Sequence, residues 1–224
     1  MNTNPLIAPL IQAFFLDFLV AQRGLSPNTI GAYRDSIKLF LNFAAGRLQK
    51  PVDKLTVEDF QDKLVVAFLD DLETSRGNST RTRNARLAAL HALFRYIAGQ
   101  QPEAMARCQQ ICALPAKRTT HNTIEYLEDH EIRAVLGSVD PISRNALRDY
   151  ALLLFLYNTG ARAQEVVDLR IDKLRFEMPC QVKLLGKGRK ERACPLWPET
   201  VQALQNYLEH REPSATECPS VFLN

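Results

Sequence analysis

The sequence predicts a mainly α-helical protein with a small antiparallel β-sheet, built as two domains. Three observations carry this. Apolar residues recur at helical spacing through residues 1–114. A basic, polar stretch at residues 115–123 then breaks the periodicity and reads as a linker. Beyond it, in residues 124–224, two strand-like runs flank a glycine-rich tip among further helical segments.

The first helix is expected over residues 6–22, with Leu6, Leu10, Phe14, Phe18 and Ala21 on one stripe. Gly24 ends it, Ser26 caps the next, and Pro27 suits a first helical position. The second helix runs to about residue 45 through Ile30, Tyr33, Ile37, Phe40 and Ala44. Thr56 opens a third through Phe60, Leu64, Phe68 and Leu72, and Asn78-Ser79-Thr80 caps a fourth that buries Leu87, Leu90, Phe94 and Ile97. Four helices on short polar turns make a small bundle. In the second domain helices are expected over residues 128–137, 143–158, 163–169 and 198–210, and strands over 180–185 and 192–196.

Composition excludes several classes. Hydrophobic residues make up 46% and charged residues 24%, the balance of an ordinary soluble globular chain. The longest apolar run, residues 151–157, is too short to cross a bilayer, and no signal peptide is legible. Five scattered cysteines fit free thiols in a reducing cytoplasm, and Cys108 and Cys112 lack the partners of a zinc site. No metal and no cofactor is expected. The net charge of +3 is unevenly spread. Arg76, Arg81, Arg83, Arg86 and Arg95 fall in an acid-free stretch, and Lys183, Lys187, Arg189, Lys190 and Arg192 stand against Glu191 alone. Two such clusters fit either solvated faces or a polyanion held from two sides.

The chemistry-bearing residues lie in the second domain. Gly160 stops an apolar helix, leaving Arg162 at the entry to the next, where a guanidinium and free helix-start amides favour a phosphate. Glu165, three residues on, shares that face and can hold the arginine. Taken alone, the pair also fits an ordinary surface contact. Lys187 follows Arg162 by 25 residues, at the tip of a predicted hairpin between Gly186 and Gly188. From there an ammonium can protonate a departing oxygen, although basic hairpin tips are common without function.

Together these motifs resemble the tyrosine recombinase, or phage integrase, family. Thr159-Gly160-Ala161-Arg162-Ala163-Gln164-Glu165-Val166 is similar to the family's first-arginine motif. The run from Gly186-Lys187-Gly188 through Arg192 to Cys194-Pro195-Leu196 is similar to its catalytic-lysine hairpin. Leu25-Ser26-Pro27-Asn28-Thr29 resembles the opening of its SAM-like core-binding bundle. The resemblance implies that residues 1–114 form this bundle and that residues 124–224 form the first half of a catalytic domain. It further implies a clamp on double-stranded DNA and cleavage through a 3′-phosphotyrosine without metal or ATP. Arg162 would stabilise phosphoryl charge, Lys187 would act as general acid, and Glu165 would support. Arg81, Arg83, Arg86, Arg189 and Lys190 would contact DNA.

The sequence also departs from the family pattern. No His-x-x-Arg follows Lys187; the match at His130 and Arg133 precedes Arg162 and reads as a solvated helix face. Tyr207 is the sole tyrosine after Lys187, and its spacing with Leu204 and Leu208 reads as helix packing. The expectation is therefore a chain cut within the catalytic domain and inactive alone, which self-associates or joins an intact recombinase on DNA. The alternative is a non-enzymatic DNA-binding remnant that occupies recombination sites.

Overall fold

The computed structural model describes residues 5–119, 125–186, 188, 190–211 and 219–223. It divides into two units, Met1–Asn122 and Thr123–Asn224.

In the first unit the chain enters beside the segment at residues 55–57, with the Ile7 N–H donating to the Leu55 carbonyl at 3.0 Å. Helix α1 (Ile7–Ala13) continues as a π-helix over Phe14–Gln22, where a single α-helix was expected. The Arg23 N–H reaches back five residues to the Phe18 carbonyl at 2.8 Å. The wider winding puts Phe14 and Leu19, five apart, on the buried side.

Helix α2 (Pro27–Leu48) begins as its sequence predicts, the Ser26 hydroxyl accepting from the Thr29 N–H at 3.3 Å. Helix α3 (Asp62–Thr74) starts later than expected, because residues 57–59 wind a separate 3-10 turn. The Asp59 carboxylate closes that turn by accepting from the Thr56 N–H at 2.7 Å and from Lys50. Helix α4 (Thr80–Gln100) starts after the Ser79 cap. A fifth helix, α5 (Met105–Cys112), was not predicted; it packs on α4 and buries Cys108 and Ile111. Its two inward residues in eight fall below what periodicity can register.

The core of this unit is a cluster of phenylalanines. Phe40 contacts Phe60 and Phe68 at centroid distances of 5.4 and 5.2 Å, and Phe60 contacts Phe94 at 5.9 Å. All four are buried, each contributing about 1.5–3 kcal/mol by leaving water.

The second unit orders α6 (Asp129–Gly137), α7 (Ala146–Thr159), α8 (Ala163–Val167), β1 (Leu174–Arg175), β2 (Gln181–Leu185), β3 (Glu191–Pro195) and α9 (Pro198–His210). The strands form an antiparallel sheet in that order. β1 was not expected, since two residues carry no alternation. Val182 and Leu184 point to the buried face of β2, against Phe155 of α7 and Leu204 of α9. Residues 219–221 lie along residues 169–171, the Ile171 N–H donating to Pro219 and the Val221 N–H to Leu169, both at 2.8 Å. Tyr207 is buried, as its spacing predicts: its ring stacks on Phe222 at 5.7 Å and its oxygen accepts from the Leu223 N–H at 3.1 Å.

Candidate active site

The apolar α7 sets the first half of the site. Its end is fixed by Gly160, whose φ of 57° is the left-handed conformation that a glycine adopts without cost. The Thr159 hydroxyl donates to the Phe155 carbonyl at 2.7 Å, tightening the last turn. Asn158 ties this end to the start of α9, accepting from the Trp197 N–H at 2.9 Å. The turn therefore has little freedom, and Arg162 leaves it in extended conformation at the N-cap of α8.

The expected anion site at this helix start is filled from within. α8 is five residues long, and the Arg162 N–H donates to Glu165 Oε2 at 2.9 Å. Arg162 Nη1 also donates to Glu165 Oε1, at 3.1 Å. The Arg162 side chain is otherwise open, with 69% of its surface exposed.

Glu165 is buried and has a second, stronger partner. Arg192 of β3 places Nη1 on Oε1 and Nη2 on Oε2, both at 2.7 Å. This fork, with the Arg162 N–H, holds the carboxyl down at about 2 against the desolvation that burial imposes. The same contact raises the Arg192 guanidinium above its ordinary value.

Arg192 turns inward because of strand register. It lies opposite Leu184, and Cys194 lies opposite Val182, so it shares the buried face of the sheet. Sequence reasoning counted it only as one charge in a basic cluster. The period of two with Cys194 was the available signal.

Gly186 completes the junction. Its N–H donates to the Lys190 carbonyl at 2.8 Å, closing the connection between β2 and β3. A Cβ there would stand 3.2 Å from Glu165 Oε1 and 3.4 Å from the Lys190 carbonyl oxygen. The hairpin base and the Arg162 turn thus meet at one carboxylate, with Gly186 packed closely against it. Lys187 and Arg189 lie outside the described residues; Lys190 is exposed.

The arginines of α4 do not share one environment. Arg81 is exposed, Arg86 is half-buried, and Arg83 is buried with its Nε 3.6 Å from Glu73. Arg83 was expected on a DNA-facing surface, yet it continues the inward stripe of Leu87, Leu90 and Phe94 by one turn. Glu73 also pairs with Lys117, and Asn84 brackets the Lys117 backbone, donating to its carbonyl at 2.7 Å and accepting from its N–H at 3.0 Å.

Among the described residues no group of His, Cys, Asp or Glu is placed to hold a metal ion. Burial pushes the Cys108 thiol up to about 11 and raises Cys112, keeping both protonated. Among the described residues no helix is long and apolar enough to cross a membrane. His130 and Arg133 are exposed on α6.

Comparison with known proteins decides the family. Sequence profiles of the phage integrase N-terminal SAM-like domain and of the phage integrase family match residues 13–101 and 125–224. The chain is 36% identical over 212 residues to "Putative integrase/recombinase y4rD" of Sinorhizobium fredii, covering 94% of this chain and 75% of that protein.

This chain belongs to the tyrosine recombinase family.

A second Sinorhizobium fredii protein, "Putative integrase/recombinase y4rC", is 42% identical over 209 residues, which cover 93% of this chain and 63% of that protein's length. Tyrosine recombinase XerD of Bifidobacterium longum is 30% identical, with 94% of this chain and 68% of that protein covered. The fold matches the XerH site-specific recombinase in its post-cleavage complex with a palindromic difH substrate, with a TM-score of 0.67 at 24% identity over 90% of this chain and 58% of that one. It likewise matches the Tn1549 transposon integrase in complex with transposon right end DNA, with a TM-score of 0.68 at 14% identity over 96% of this chain and 71% of that one. The mainly helical fold with a small antiparallel sheet is the fold these structures share with this chain.

Proposed function

We propose that these residues grip duplex DNA and present a scissile phosphate to Arg162 and Lys187 in a site-specific recombination reaction. The observation that carries this reading is the junction at Glu165. One buried carboxylate accepts from the Arg162 N–H and from Arg192 of β3, and Gly186, the neighbour of Lys187 in sequence, lies against it, which supports a shared site for the two motifs. Arg162, largely exposed, is free to fork two oxygens of a phosphate and to stabilise charge as the phosphorus is attacked. Lys187 supplies a proton to the departing 5′ oxygen. Arg81, Arg86 and Lys190 contact the DNA backbone, and Arg83 braces α4 from within. In this reading residues 1–114 are the core-binding domain, residues 115–123 a linker, and residues 124–224 part of the catalytic domain. The solved relatives bound to DNA support duplex DNA as the partner, and the lambda integrase tetramer bound to a Holliday junction supports self-association on it.

The geometry of Tyr207 favours a second reading for residues 1–224 taken alone, namely DNA occupancy without cleavage. Its ring is stacked and its hydroxyl is engaged, so it is not a free nucleophile. A nicked suicide substrate together with a salt titration tests both readings. Duplex affinity should fall steeply with salt, and Tyr207→Phe should leave any covalent adduct unchanged. Salt-independent binding would remove the DNA reading, and an adduct lost in Tyr207→Phe would make that residue the nucleophile.

A further inference from the structure

We propose that Arg192 is a positioning residue that frees the Arg162 guanidinium for a phosphate by neutralising Glu165 in its place. The nature of that phosphate rests on the recombinase reading; the division of labour between the two arginines does not.

A buried carboxylate needs a cation, and two guanidiniums reach this one. They reach it unequally. Arg192 spends a full fork on Glu165, one N–H to each oxygen at 2.7 Å. Arg162 spends one guanidinium N–H, at 3.1 Å, and its backbone N–H at 2.9 Å. A guanidinium carries five N–H donors, so most of those on Arg162 remain for another anion. Exposure follows the same division, 69% for the Arg162 side chain against 36% for Arg192.

Without Arg192, the remaining cation paired with Glu165 among the described residues is Arg162. The buried charge then draws the Arg162 fork inward, and the donors that a phosphate requires turn onto Glu165. Gly186 packs closely on the Glu165–Arg192 pair: a Cβ there would stand 3.2 Å from Glu165 Oε1 and 3.7 Å from Arg192 Nη1. The register that sets Arg192 opposite Leu184 aims it at Glu165.

The test is side-chain NMR on the ¹⁵N-labelled full chain, with inorganic phosphate as the probe. In the parent protein the Arg192 guanidinium should rotate slowly and give resolved Nη signals. The Arg162 guanidinium should rotate freely, and its Nε–H signal should move on adding phosphate. In Arg192→Gln, Arg162 should become restrained, and its phosphate response should weaken by about five-fold or more, as one bidentate site is lost to Glu165. The double variant Arg192→Gln with Glu165→Gln removes the buried charge and should restore both properties. Arg192→Lys keeps the charge but loses the fork and should fall between. A restrained Arg162 in the parent protein overturns the proposal even if no variant folds. So does an unchanged phosphate response in Arg192→Gln, or a double variant that fails to recover. These signals require neither DNA nor turnover. A protein that behaves as stated but binds no duplex would remove the recombinase reading and leave this one standing.

Discussion

Replacing Arg192 by Gln should destabilise the second unit far more than replacing Arg192 and Glu165 together. The lost contact is two charge-assisted hydrogen bonds of 2.7 Å to a carboxylate whose side chain is 4% exposed. Breaking a fully buried ion pair costs about 3–5 kcal/mol, since one charge is left uncompensated. Two features lower that figure here: Arg192 is 36% exposed, and Arg162 still reaches Glu165. A loss of about 2–3 kcal/mol follows. In a unit of this size that lowers the unfolding midpoint by about 10–20 °C. With both residues changed to Gln, an amide pair of similar volume replaces the ions, and the loss should stay within about 1 kcal/mol. Urea unfolding of the four proteins gives the coupling directly, expected at about 2 kcal/mol or more because Glu165→Gln alone also costs stability. The pH dependence is a second check. Glu165 is depressed to about 2 in the fold, so its contribution is present in full above its ordinary value of 4.5 and disappears as pH falls towards 2. The gap between the parent protein and Glu165→Gln should close over that interval. Additive losses in the cycle, or a gap that does not change with pH, would mean that the fork contributes nothing to stability.

Three other outcomes follow from the same geometry. Gly186→Ala puts a Cβ 3.2 Å from Glu165 Oε1 and should cost about 1–2 kcal/mol in urea unfolding while leaving the first unit unchanged. Asn84→Ala removes both hydrogen bonds that bracket Lys117, and tryptic cleavage after Lys117 or Arg118 should quicken by about ten-fold as that segment lifts from α4. Tyr207→Phe keeps the stack on Phe222 but leaves the Leu223 N–H without its acceptor, costing about 1 kcal/mol by urea unfolding.

The local signals in the sequence were sufficient wherever the deciding interactions are themselves local. Ser26 and Ser79 cap the helices they precede, Gly160 takes the left-handed turn, and α9 spans the residues its stripe and Pro198 indicate. Capping and helical periodicity operate over three or four residues, so a linear reading captures them. The same reading missed the π-helix at Phe14–Gln22, the fifth helix and the two-residue β1, because each is selected by what packs against it. Arg83 marks the boundary between the two cases. Its place on the inward stripe of α4 was legible, but its charge suggested a surface, and only the fold shows it buried with Glu73 from another helix 3.6 Å from its Nε.

The sequence by itself determined the helical bundle, the hairpin, and the pairing of Arg162 with Glu165 three residues on. Only the tertiary structure decided that Glu165 is shared with Arg192, 27 residues away, and that Gly186 packs tightly against the shared carboxylate. The physical reason is burial. A carboxylate removed from water takes whichever cation the fold brings to it, and the fold brings Arg192 to α8 from β3.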